Sequence, residues 1–166
     1  MRRSGGNSSV VLAAVVSAAL LMPSAAVGST GETATSLLAS VNAVRAQQGL
    51  PQLHRVRALD ASALLKAEAI RSCGQFSHTP CGMPATRTFQ RTGYFHGNVR
   101  VGENLYFGTG SLGTATSALA SWLRSPPHRA NLLGRWRDAG VGIVRAPSLF
   151  GYADVWLFVM QFGRHD

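Results

Sequence analysis

Acidic residues, lysine and cysteine are all scarce in this chain, and each scarcity excludes something. Seven acidic residues stand against 16 basic ones in 166 residues, and only one of the basic residues, Lys66, is a lysine. Two cysteines are too few for a disulfide-built scaffold, so stability has to come from an apolar core. No G-x-S-x-G sequence is present, which removes the strand-to-helix nucleophile of the hydrolase elbow. The glycine-rich GTGSLG lacks the lysine of a phosphate-cradling loop. The arginines are scattered rather than clustered, unlike a nucleic-acid-binding arm, so no nucleic-acid partner is expected.

The N-terminal segment has a definite order. Arg2 and Arg3 precede an uncharged apolar run from Val10 to Met22, and the small residues PSAAVGST follow. That is the layout of a secretory signal peptide, and the run is well short of the ~20 residues a membrane-crossing helix needs. Residues 1–28 are therefore expected to be a leader for the general secretory route. Residues 29–35 would form a flexible lead-in and residues 36–163 one domain, with no transmembrane segment in the mature chain and a monomeric state. Loss of Arg2 and Arg3 lowers the formal charge from +9 to +7. That balance still favours anionic surfaces.

In an exported protein, Cys73 and Cys81 are read first as a disulfide closing a short loop. A metal cluster of Cys73, His78 and Cys81 is the alternative, although the spacing lacks a C-x-x-C element.

Apolar spacing predicts a helix from Ser36, as N-cap, to Gly49, with Leu37, Leu38, Val41, Val44 and Arg45 on one face. A second helix would run from Asp60, as cap, to Cys73, with Leu64, Ala67 and Ile70 or Arg71 sharing a face. A short third helix follows Pro84 and turns Phe89 inward. VGENLYF reads as a strand, Thr114 to Arg124 as a helix, and AGVGIVRA with YADVWLFVMQF as an antiparallel hairpin. In SWLRSPPHRANLL, Pro126 and Pro127 should end that helix and hold His128 on a stiff corner. These elements make an α+β domain.

Three places could carry chemistry. FSHT sets His78 between Phe76, expected in the core, and Pro80. GEN sets Glu103 after Gly102, whose missing side chain permits close backbone approach. PPHR presents His128. Two imidazoles and a carboxylate could hold zinc, or could equally form a polar cluster that fixes local structure. Asp138 reads as a turn or cap residue. His54, His96 and His165 read as surface, and Trp122, Trp136 and Trp156 as packing.

VNAVRAQQGLPQL, FSHT, GENLYFG, SWLRSPPHRANLL and DAGVGIV, in that order and spacing, resemble the bacterial CAP-domain (SCP-like) proteins. Their superfamily includes cysteine-rich secretory proteins, antigen 5 and pathogenesis-related 1 proteins. The resemblance spans residues 36 to 163. It implies a three-layer α-β-α sandwich with a small central antiparallel sheet, and a cleft where histidines and acidic residues converge. His78, Glu103 and His128 match three cleft positions. A fourth position, a glutamate in many eukaryotic members, falls on Ser125, which removes a carboxylate. The expected cleft is therefore His78, Glu103, Ser125 and His128, and His78, Glu103 and His128 are also the candidate zinc site.

Two functions follow from the resemblance. One is a secreted, non-catalytic binding scaffold for a small apolar ligand or cell-envelope component. The other is a zinc-dependent hydrolase in which His78 and His128 hold the metal and Glu103 serves as ligand or base.

Overall fold

In the computed structural model, Met1 and residues 29–166 are described. The expected leader otherwise lies outside the described residues. The elements run α1 (Thr30–Gln47), β1 (His54–Arg55), α2 (Arg57–Cys73), α3 (Arg87–Arg91), β2 (Val99–Thr109), α4 (Ala115–Arg124), α5 (Pro126–Leu132), β3 (Asp138–Leu149) and β4 (Tyr152–His165). Among the described residues no helix is long and apolar enough to cross a membrane.

The strands form one four-stranded sheet in the order β1-β3-β4-β2. β3 and β4 are the expected antiparallel hairpin, and β2 pairs antiparallel along the far side of β4. The hairpin turns at Phe150 and Gly151, both with positive φ, 54° and 79°. Two successive left-handed residues match the twist of the flanking strands. The sheet is not wholly antiparallel, which corrects the expectation. β1 runs parallel to β3 through two residues, His54 opposite Asp138 and Arg55 opposite Ala139. A two-residue strand of exposed polar side chains leaves no alternation in the sequence to detect.

Helices cover both faces of the sheet, giving three layers. On one face α1, α4 and α5 bury Leu37, Leu38, Val41, Ala118, Trp122 and Leu132 against Val141, Ile143, Phe158, Met160 and Phe162. On the other, Ala63, Ala67 and Ile70 of α2 meet Leu105, Val144, Val155, Leu157 and Val159. The contact with β3 is unusually close. A Cβ on Gly140 would lie 2.1 Å from the Leu59 carbonyl carbon, and one on Gly142 would lie 2.3 Å from that of Ala63. Alternate residues of a strand share a face, so the two glycines in AGVG form a flat strip on which α2 lies backbone to backbone.

Several local readings change. α1 is capped by Ser29, not Ser36, because Ser29 and Glu32 form a reciprocal capping box that makes helix of the expected lead-in. α2 begins at Arg57, with Val56 at the cap. Asp60 lies inside its first turn and instead accepts hydrogen bonds from the Val141 amide at 2.9 Å and from Arg55 Nε at 2.8 Å. Leu64 is 45% exposed, and the inward face is Leu59, Ala63, Lys66, Ala67 and Ile70. Pro126 and Pro127 do end α4, but they also open α5, where missing amide hydrogens cost nothing because first-turn amides lack helical partners. Asp138 opens β3 and accepts a hydrogen bond from the Tyr94 hydroxyl at 2.7 Å.

Candidate functional site

The site forms along β2, the edge strand, where its two faces are served by different helices. Glu103 points to the α2 side, beside its cross-strand neighbour Gln161. Asn104, one residue on, points to the α4–α5 side.

On the first side, the disulfide between Cys73 at the end of α2 and Cys81 closes the loop carrying His78. Phe76 is 43% exposed rather than in the core, packing edge-on against Phe107 with ring centroids 5.0 Å apart. His78 Nδ1 donates to Glu103 Oε1 at 2.7 Å, and Gln161 Nε2 donates to Glu103 Oε2 at 2.8 Å. Lys66, fully buried on α2, donates from Nζ to the His78 carbonyl and lies 3.9 Å from Glu103 Oε1. Burial pushes the Lys66 amine below the ordinary lysine range, and Glu103 pulls it partly back. A cavity of about 230 Å³ opens beside this pair, walled by Ala85, Thr86, Phe89, Val101 and Gly102 together with His78 and Glu103.

On the second side, His128 lies in the first turn of α5, and its Nδ1 is hydrogen-bonded to Ser125 Oγ at 2.8 Å. Asn104 Nδ2 donates to the His128 carbonyl at 3.0 Å. Asn131 Nδ2 in turn donates to the Glu103 carbonyl and to Asn104 Oδ1. This amide pair ties α5 to the edge strand at the residue that carries the carboxylate. Burial first, and the neighbouring His78 second, push the His128 imidazole below the ordinary histidine range. Trp136 closes the underside, lying so near Gly102 that a Cβ there would sit 2.8 Å from its ring.

The structure thus brings the expected residues together as two pairs, His78 with Glu103 and Ser125 with His128, joined through Asn104 and Asn131. Neither Ser125 nor His128 lines the small cavity. Lys66, Gln161 and Asn104, all fully buried, join the site without being among the residues the motifs mark. Lys66 had a signal as the chain's sole lysine, and Asn104 as the last letter of GEN. Nothing marks Gln161 inside the apolar run of β4.

The donor set is ill suited to zinc. Among the described residues no three His, Cys, Asp or Glu side chains are placed to hold a metal ion. Both Glu103 oxygens already accept hydrogen bonds, and His128 Nδ1 is engaged by a hydroxyl. As arranged, these residues do not fit a zinc centre.

No curated protein matches the chain. Solved structures do. An extracellular protein containing an SCP domain from Bacillus anthracis is 23% identical with TM-score 0.67, matched over 81% of this chain and 41% of its own. An outer surface protein from Borrelia burgdorferi is 19% identical with TM-score 0.62, over 80% of this chain and 92% of its own. A cysteine-rich secretory protein from Staphylococcus aureus is 17% identical with TM-score 0.63, over 84% and 40%. The chain thus spans about two-fifths of the length of the first and third, and at these identities the likeness is one of fold. A family model described as CAP, cysteine-rich secretory protein family, matches residues 38–162. With that match over most of its length and the three-layer fold, the chain belongs to the CAP family.

Proposed function

We propose that this chain is an exported, non-catalytic binding scaffold whose cleft beside His78 and Glu103 takes a small apolar or envelope-derived ligand. The observation that carries the reading is the cavity of about 230 Å³ with Phe89, Val101 and Ala85 on one side and the His78–Glu103 pair on the other. An apolar wall with a few fixed polar groups is the usual make-up of a small-ligand site. Its volume lies below the ~300 Å³ common for drug-sized molecules, which suits a short chain or one end of a longer ligand. Glu103 is held by three neighbours and is poorly placed to act as a mobile base, while no serine or cysteine nucleophile adjoins a histidine in the cavity. Export is supported by the layout of residues 1–28 and by the extracellular and outer-surface descriptions of the structural neighbours.

A thermal-shift screen of fatty acids, sterols and wall fragments tests this reading. At ligand concentrations near 100 times Kd, stabilisation of about 2.7 kcal/mol is expected. Ala85→Trp fills the cavity from an exposed position and should abolish the shift, whereas His128→Ala, outside the cavity lining, should retain it. No stabilisation by any of these ligands would refute the reading. Zinc analysis of protein purified without chelator separates it from the hydrolase alternative. Zinc near one equivalent would favour the hydrolase, and less than about one-tenth of an equivalent would retire it.

A further inference from the structure

A second pocket, unrelated to the His–Glu cleft, lies where the α1–β1 connection, the α5–β3 connection and the end of β4 come together. Its volume is about 440 Å³, within the range of small-ligand sites. Arg45, Arg135, Arg137, Arg164, His54 and His165 line it, and no acidic residue does. Leu50, Pro51 and Trp136 supply an apolar wall.

Arg45 is the informative member. It is 1% exposed, and its Nε and Nη1 donate to the carbonyls of Pro51, Leu132 and Gly134. Those bonds join the end of α1 to the loop after α5, so part of its role is structural. However, carbonyls do not neutralise a guanidinium, and among the described residues no carboxylate forms an ion pair with it. A buried charge without a counter-charge is costly, and an anion in the adjoining pocket would supply one. Arg135 and Arg137 are exposed and likewise form no ion pair among the described residues. Arg164 is held at 3.1 Å by Asp166, the one competing carboxylate.

The platform is fixed before any ligand arrives. Trp136 Nε1 donates to the Asn131 carbonyl at 2.8 Å, and its ring stacks on Phe162. The Arg137 amide donates to Gly163, and the Arg137 carbonyl accepts from the His54 amide. A ring and backbone held in place leave only the arginine side chains to be ordered on binding.

We propose that this pocket binds a phosphate ester with a small organic body, either a soluble sugar phosphate or a phospholipid headgroup. Guanidinium forks match phosphate oxygens two at a time, and a phosphate ester, singly or doubly charged, offers several arginines oxygens to share. Trp136 and Pro51 pack the organic portion.

The test is calorimetric titration of the whole chain at low ionic strength with glucose 6-phosphate, and sedimentation with phosphatidylglycerol or phosphatidylcholine vesicles. Arg135→Gln/Arg137→Gln removes two exposed pocket charges. Arg87→Gln/Arg91→Gln removes two exposed charges on α3, outside the pocket. Melting temperatures confirm that both variants fold. The pocket variant should lose affinity by about tenfold or more, the usual effect of losing a charge-assisted bond, and the α3 variant less than about twofold. Binding of glucose 6-phosphate with that pattern identifies a soluble ester. Binding confined to phosphatidylglycerol vesicles, with the same pattern, identifies a headgroup. Equal losses in the two variants, or no binding of either probe, would overturn the proposal.

Discussion

His78 and His128 bring the same side chain to the same edge strand, but in different states. His78 rides on a disulfide-closed loop with its side chain 53% exposed, and its Nδ1 faces a nearly buried carboxylate. His128 is locked in a proline-started helix turn, partly buried, and faces only a neutral hydroxyl. A positive charge on His78 has Glu103 to answer it. A positive charge on His128 is opposed by burial first and by the neighbouring His78 second, so its pKa falls. An imidazole's environment rather than its identity decides what it can do.

Replacing Glu103 should disturb the first environment most. Glu103→Gln leaves Lys66 buried without its carboxylate and should cost about 3 kcal/mol in urea unfolding, at the low end for a broken buried pair. Lys66→Met in the same background should recover part of that loss, because the uncompensated charge is gone. Full additivity of the two changes would show that Lys66 and Glu103 do not interact. Cys73→Ser/Cys81→Ser comes next, at about 2–3 kcal/mol for so short a loop. It should loosen the His78 loop and leave the hydrogen bond between His128 and Ser125 as it was. A His128 resonance that moves as much as that of His78 would erase the distinction between the two regions.

The smallest effect concerns acid stability. The folded His128 pKa is depressed below the unfolded value of about 6.5, so the unfolded chain binds that proton more readily. The stability it contributes is complete above about pH 6.5 and is lost as pH falls through the depressed pKa. His128→Asn should therefore lose less stability than the native chain on acidification below pH ~6.5. Parallel stability curves for the two proteins would contradict the account.

Much of the architecture was legible because it rests on periodicity. The apolar spacing of α1 even placed Arg45 on the inward face, where it is buried. The β3–β4 hairpin showed its β-branched and aromatic run, and the motif positions located His78, Glu103 and His128. What stayed hidden depends on contacts distant in sequence. Lys66 interrupts an apolar stripe, and a charged residue there reads as the solvent edge of the helix until its partners are known. Leu64 shares helical spacing with Ala67 and Ile70, yet the glycine strip of β3 draws α2 down at Leu59 and Ala63 and leaves Leu64 facing outward. The two prolines read as a stop, and their second role as the start of α5 depends on Ser125 being extended between two helices. Gln161 became part of the site only through its register opposite Glu103.

Histidine titration followed by NMR, in the native chain and in His78→Asn, tests most directly whether the two imidazoles share one electrostatic environment. The native His128 resonance should titrate below the ordinary histidine range. It should move upward in His78→Asn while remaining depressed, since burial is the larger cause. A His128 midpoint at or above about 6.5, unchanged by the loss of His78, would show that the two rings do not meet at this strand.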